Sequence, residues 1–475
     1  MKILFVYPPA RDASAPPLGI GYLCSILRSK GYEIDVLDLT SKPFSEEELF
    51  DEIGKFHKYD CIGISAIITG YSFLKSFVSE VKKKCPRLPI IVGNGIVNAC
   101  PEILLKNTKV DALVADEGEL TLVELLENIN IPKNFKDIKG IWYKDEEGNI
   151  TKTIDRERIK DLDSLPYPAW DMINIPIYMG NAGPFLTHGF KTGWISTVRG
   201  CPFRCEFCSR IYGRGVTHRS PDSMIDEILE FRRIYKNTHV AIVDNEFMVN
   251  MKMVKGFANA LIERKVNMTW EANWRVNFLN EDLFRLMKKS GCFRLGYGIE
   301  SGSQKILDIM NKNATVEQAK EAIKLTRKVG IKMHTPMMFG YAGESKHTIS
   351  ETVNFMIDMK LENTKFFFTT PYPGTELYKW ARKNNRIKED EETYLSLLGN
   401  NAEKFLVNLT DMSDEEYIEQ KSRAEEKLRK SLPFKLKVQR YLIKRIYYIV
   451  ARMRQHGLMW TIRKIISKCL VNKPS

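Results

Sequence analysis

The sequence predicts an α/β protein in three parts: an N-terminal doubly wound parallel sheet, a full or partial (β/α) barrel, and a mostly helical C-terminal region. Three observations predict it. Short apolar runs alternate with helical patterns over residues 1–130 and again from Trp194 to Trp380, and strands that alternate with helices build parallel sheets. A Pro-rich, aromatic connector, LDSLPYPAWD at Leu162–Asp171, separates the two runs. Beyond residue 380 the strand pattern stops and helical spacing takes over.

The first run reads in order as strands at Lys2–Tyr7, Glu33–Leu37, Cys61–Ser65, Ile90–Val92 and Ala112–Val114. Helical patterns fall between them at Gly19–Lys30, Glu46–Phe56 and Ser72–Lys84, and another follows at Leu120–Leu126. Gly140–Lys144 reads as one strand of a hairpin that turns at Glu147–Asn149. Ligands of such a sheet sit beyond the carboxyl ends of its strands. Those ends are Pro8–Pro9, Ser65–Thr69, Gly93–Gly95 and Asp116–Glu119, small or polar as a binding rim requires. The second run repeats about six strand–helix units, from the strand Trp194–Val198 through Lys332–Phe339 to Lys365–Thr369. A barrel of this kind carries its site at the strand carboxyl ends. The expected divisions are 1–150, a connector 151–190, the barrel 191–385 and a helical region 386–475.

With 44% hydrophobic and 28% charged residues over 475 positions, the composition is that of a globular protein. A disordered chain, a collagen-like repeat and a disulfide miniprotein are excluded. No uncharged apolar run reaches the ~18 residues of a spanning helix. The opening MKILFVYPPARD is too short in its apolar part for a signal peptide. A reducing cytoplasm is therefore expected, with cysteines as thiols or metal ligands. The net charge of +13 is uneven, because residues 431–475 carry eleven Lys/Arg and no acid, leaving about +2 for the rest. A nucleic-acid-binding body would carry its own basic face, so nucleic acid is not expected as a partner.

Cys24, Cys61, Cys85, Cys100 and Cys292 lack metal-ligand spacing and read as structural thiols, and Cys469 carries no signal. Cys201, Cys205 and Cys208 are different. They lie in STVRGCPFRCEFCSR, directly after the first barrel strand. Three thiolates within eight residues can wrap a soft metal centre. A structural zinc site would want a fourth ligand at matching spacing, and no second pair exists. One coordination position stays open.

This CxxxCxxC spacing, with Phe207 before the last Cys, resembles the radical S-adenosylmethionine (SAM) enzymes. The resemblance implies a 4Fe–4S cluster held by Cys201, Cys205 and Cys208, with SAM chelated to the fourth iron. It further implies SAM contacts at strand ends: Asp244 and Glu246 in AIVDNEF, where Asn245 also stands, Glu300 and Ser301 in LGYGIESGS, and Gly340, Gly343 and Glu344 in MMFGYAGES. The family pattern at the second strand is often Gly-Gly-Glu, which this chain lacks. Residues 1–130, the connector, DEGELTLVELL and PYPGTELY (Pro371–Tyr378) together resemble the cobalamin-binding subfamily over roughly residues 1–385. That likeness implies cobalamin above the barrel mouth, with Ser65, Gly93, Gly95 and Glu117 on its rim. No Asp-x-His-x-x-Gly signature occurs, so a histidine ligand to cobalt is not expected.

The implied activity is reductive cleavage of SAM to a 5′-deoxyadenosyl radical, hydrogen abstraction from an unactivated carbon, and methylation of a small molecule. Ring formation or rearrangement without methyl transfer is the alternative. A methylthiotransferase acting on RNA or protein would need three N-terminal cluster cysteines in another order. A low-potential donor such as ferredoxin or flavodoxin is implied as partner. The tail sets Leu442, Ile446, Ile449 and Met453 against Lys444, Arg445, Arg452 and Arg454, and resumes with Trp460, Ile465, Ile466 and Leu470. A basic amphipathic helix of this kind suits an anionic membrane surface. It points to a lipid or isoprenoid substrate and to peripheral attachment at the inner face of the membrane.

Overall fold

The chain runs through two parallel sheets in succession, and each is built as its apolar spacing predicts. The computed structural model describes residues 1–9, 15–42, 44–180, 190–244, 246–361, 365–399 and 404–431. The first sheet contains β1 (Lys2–Tyr7), β2 (Glu33–Asp38), β3 (Cys61–Ser65), β4 (Ile90–Gly93), β5 (Ala112–Val114), β6 (Ile141–Lys144) and β7 (Ile150–Lys152). Their order is β2-β1-β3-β4-β5-β6-β7. The first five are parallel, and β6 and β7 extend the edge antiparallel. β1 shows why the fully apolar run is needed. Ile3 and Phe5 enter one core while Leu4 and Val6 enter the other, as a strand covered on both faces must. The order reverses between β1 and β3, which puts a ligand crevice beyond Tyr7 and Ser65.

The second sheet contains β8 (Thr192–Ile195), β11 (His239–Ile242), β12 (Thr269–Trp274), β13 (Cys292–Tyr297) and β14 (Lys332–His334), all parallel. A short hairpin of β9 (Val198–Arg199) and β10 (Thr217–His218) frames the cysteine loop. β15 (Met337–Phe339) pairs with β16 (Phe366–Phe368), and a bridge from Glu300 to Met337 joins that pair to the sheet. The result is a partial barrel of six strand positions. Val240, Ile242, Trp270, Ala272, Trp274 and Leu295 pack outward beneath the helices into one core.

Two strands expected to be continuous are each broken. Trp194–Val198 divides into β8 and β9 because Ser196 and Thr197 turn to bond Asp244. Lys332–Phe339 divides at Pro336, which has no N–H for the ladder.

The C-terminal region is built into both sheets. In helix 391–397, Glu392 accepts the Tyr71 hydroxyl at 3.0 Å. In helix 414–431, the Tyr417 hydroxyl donates to Phe339 O at 3.1 Å. Residues 432–475, which hold the basic tail and Cys469, lie outside the described residues, as does Asn245. Among the described residues no helix is long and apolar enough to cross a membrane.

Candidate active site

The cysteine loop spans residues 200–216, between β9 and β10. Its root is held by Asp244, whose carboxylate accepts from Ser196 Oγ at 2.8 Å, Thr197 Oγ1 at 2.7 Å, Val198 N at 3.0 Å and Thr197 N. Gly200 has φ +85° and touches Gly215 O. A side chain there would be strained and would overlap that carbonyl. The loop centre is stapled to two other elements. Glu206 N donates to Met310 O at 3.0 Å, and Leu377 N donates to Glu206 O at 3.0 Å. The PYPGTELY segment is thus an anchor for the loop.

Cys205 is buried, and Cys201 and Cys208 are half-buried. The Cys201 thiol donates to Glu246 Oε1 at 3.1 Å. Arg275 Nη1 lies 3.6 Å from Cys205 Sγ, its guanidinium stacks 3.7 Å from the Phe203 ring, and Nη2 donates to Lys312 O. Burial first, and Glu246 second, push the Cys201 thiol up to about 12. Burial and then Cys205 push Cys208 up as well. A bound metal centre favours the thiolate of such thiols and so offsets the effect of burial. Among the described residues no three His, Cys, Asp or Glu side chains converge on one ion. Two buried polar atoms beside the loop have no partner, Glu246 Oε2 and Arg275 Nε. An acceptor and a cationic donor left open together fit a zwitterionic headgroup. Arg275 was missed from sequence. Its signal was an arginine directly after a strand, in ANWRVN.

Several residues expected to touch SAM are engaged elsewhere. Asp244 anchors the loop through its four bonds to Ser196, Thr197 and Val198. Glu300, at φ +69°, pairs with Lys312 Nζ at 2.9 Å. Ser301 is buried, bonds Thr352 Oγ1 at 3.1 Å and accepts Ser303 N at 3.1 Å, so its hydroxyl serves the barrel wall. Gly340 leaves room for Tyr417, because a Cβ there would overlap the Tyr417 ring. Glu344 folds back on its own loop and accepts Gly340 N and Tyr341 N. Burial raises its carboxyl to about 7.

On the rim of the first sheet, Ser65 Oγ accepts Asn94 Nδ2 at 3.0 Å. A Cβ at Gly93 would meet only Val114 O, in ordinary contact at 3.8 Å. Ile67 is 48% exposed beside it. Gly93 and Ile67 thus give the rim a partly apolar ledge. Gly95 is covered by Ile211, which follows the cysteines, and Asn98 donates to Ile211 O. Glu117 does not face the ledge freely. Oε1 accepts Arg199 at 2.9 Å and Oε2 accepts Ile159 N at 2.7 Å. His57, the only histidine before residue 150, precedes β3, at the opposite end of the sheet, and bonds Gly54 O at 3.1 Å.

A family description for the radical SAM superfamily matches residues 195–356, and one for the B12 binding domain matches residues 11–126. These matches, the two sheets and the three-cysteine loop define a radical SAM enzyme with a corrinoid domain. The chain thus carries a radical SAM domain and a B12 binding domain, and its cofactors are a 4Fe–4S cluster, SAM and cobalamin. It is 29% identical over 397 residues to the uncharacterized methyltransferase PH0819 of Pyrococcus horikoshii, covering 82% of this chain and 84% of that one. It is 27% identical over 394 residues to the anaerobic magnesium-protoporphyrin IX monomethyl ester cyclase of Rubrivivax gelatinosus, covering 80% and 70%. Its fold is similar to that of the radical SAM methyltransferase TsrM of Kitasatospora setae, with a TM-score of 0.69, 18% identity, and coverage of 81% and 77%.

Proposed function

We propose that this enzyme methylates a small molecule at an unactivated carbon. The observation that carries the reading is the contact of the cysteine loop with the ledge of the first sheet, through Ile211 at Gly95 and Asn98. In this reading the two cofactor sites lie side by side. When bound, the cluster supplies the electron that cleaves SAM and the corrinoid supplies a transferable methyl group. In this reading Cys201, Cys205 and Cys208 hold three irons. Glu246 takes the methionyl ammonium and Arg275 its carboxylate, which satisfies the two unpartnered atoms. Glu300, through the ion pair with Lys312, stays the candidate for the ribose. Ser65, Gly93 and Ile67 support the corrinoid. The divisions at residues 150, 190 and 385 belong to the same reading.

The basic stretch beyond residue 431 supports a lipid-like substrate met at an anionic surface. Ring formation without methyl transfer is a second reading, supported by the likeness to the cyclase.

The test uses full-length protein, reconstituted anaerobically with iron, sulfide and methylcobalamin, and given dithionite and SAM labelled in its methyl group. Release of 5′-deoxyadenosine with label on the corrinoid or on an added lipid supports methyl transfer. Radical cleavage with the label found only in methionine favours ring chemistry. Alanine at all three of Cys201, Cys205 and Cys208 should abolish cluster absorbance and cleavage together. Cleavage that persists there would refute the reading.

A further inference from the structure

We propose that Arg199 is a positioning residue that locks the cysteine loop to the first sheet and so sets the separation of the two cofactors. The inference rests on the reading above for the identity of those cofactors. Arg199 stands two residues before Cys201 and is 5% exposed. Its Nη1 donates to Glu117 Oε1 at 2.9 Å and its Nη2 to Glu119 Oε1. Both acids follow β5, at the carboxyl rim of the first sheet. The guanidinium carbon lies 5.6 Å from the centre of the Tyr22 ring and 5.4 Å from that of Tyr212. Tyr22 belongs to the helix 18–29 beside β1, and Tyr212 to the cysteine loop itself.

A buried ion pair of this kind is a poor device for stability, because desolvation of the charges offsets their attraction. Its attested use is to specify one register among several that apolar packing alone would allow. The position fits that use. The strand β9 that carries Arg199 begins in the barrel, whereas the acids and Tyr22 come from the first sheet and its helix. The planar guanidinium holds two carboxylates in a fixed fork geometry, which the flexible point charge of an ammonium does not impose. The far side of the loop has other tethers, Asn98 to Ile211 O and Arg158 to Gly215 O. Loss of Arg199 therefore loosens the root of the loop without releasing it.

The test compares full-length parent protein with Arg199→Lys, which keeps the charge and loses the fork, and with Glu119→Gln, which leaves the pair with Glu117. Hydrogen exchange is read first, without cofactors. Amides of 200–215 should exchange about tenfold faster in the variants, as expected for a lost charge-assisted buried bond, while those of β3 and β4 stay unchanged. With both cofactors loaded, iron and corrinoid contents should match the parent. The relaxation enhancement of the cob(II)alamin spin by the reduced cluster should weaken. Unchanged loop exchange and unchanged relaxation in both variants would overturn the proposal. If Arg199→Lys yields no soluble protein, Glu119→Gln decides by the same two readouts. A parent that binds no corrinoid refutes the proposed function and the cofactor-separation half of this inference, while the exchange result still decides whether Arg199 locks the loop.

Discussion

Asp244 and Thr197 are joined twice, since one carboxylate oxygen of Asp244 accepts both the Thr197 hydroxyl, at 2.7 Å, and the Thr197 backbone N–H. The second barrel strand thereby fixes the chain just ahead of Cys201. Alanine at Asp244 would leave several donors of the Ser196–Val198 turn without acceptors, and each costs about 1–3 kcal/mol when buried. The expected outcome for Asp244→Ala is a loss of about 3 kcal/mol or more in unfolding free energy, together with reduced iron per chain. Asp244→Asn, which keeps one acceptor oxygen, should lose less. Full iron loading in the alanine variant would show that the anchor is dispensable.

Corrinoid bound to this chain should carry no histidine ligand from it. His57 lies at the amino end of β3, away from the ledge, and no other histidine occurs before residue 150. The cob(II)alamin spectrum of the purified complex is therefore expected to lack nitrogen superhyperfine splitting from the protein. Splitting that vanishes in His57→Ala would contradict this placement.

Glu344 makes stability fall as pH rises through neutrality. Its carboxyl is raised from 4.5 to about 7 by burial, so the folded chain holds a proton that the unfolded chain releases. The stabilisation is complete below about pH 4.5 and is lost by about pH 7. At 1.36 kcal/mol per unit the span is about 3 kcal/mol. Glutamine keeps a carbonyl for Gly340 N and Tyr341 N and cannot ionise. Glu344→Gln should flatten the stability profile between pH 5 and 8, measured by urea midpoints. An unaltered slope would place the titration elsewhere.

The basic tail should confer reversible attachment to anionic vesicles. Each Lys or Arg near such a surface contributes on the order of 1 kcal/mol, and eleven are available beyond residue 430. Full-length protein is expected to co-sediment with phosphatidylserine vesicles, less so at high salt. A chain ending at Ser431 should remain in the supernatant. It should still fold and cleave SAM, because it retains helix 414–431, whose Tyr417 packs against Gly340. Co-sedimentation of the shortened chain would remove the support for a lipid-like substrate.

The sequence by itself determined the two sheets and the cluster cysteines. Their signals are local: an apolar run such as Ile3–Val6 must be a strand covered on both faces, and three cysteines within eight residues must share one loop whatever surrounds them. It also placed the acids Asp244, Glu246, Glu300 and Glu344 at strand ends, but it could not say what each faces. That was decided by partners distant in the chain. Asp244 meets Thr197 across 47 residues, Glu117 meets Arg199 across 82, and Tyr417 reaches Phe339 across 78 to fill the space at Gly340. A carboxylate at a strand end has the same local pattern whether it binds a ligand, caps its own loop or pairs with an arginine. Only the packing of one sheet against the other fixes which donors come within hydrogen-bond reach, and so which acids remain open at the site.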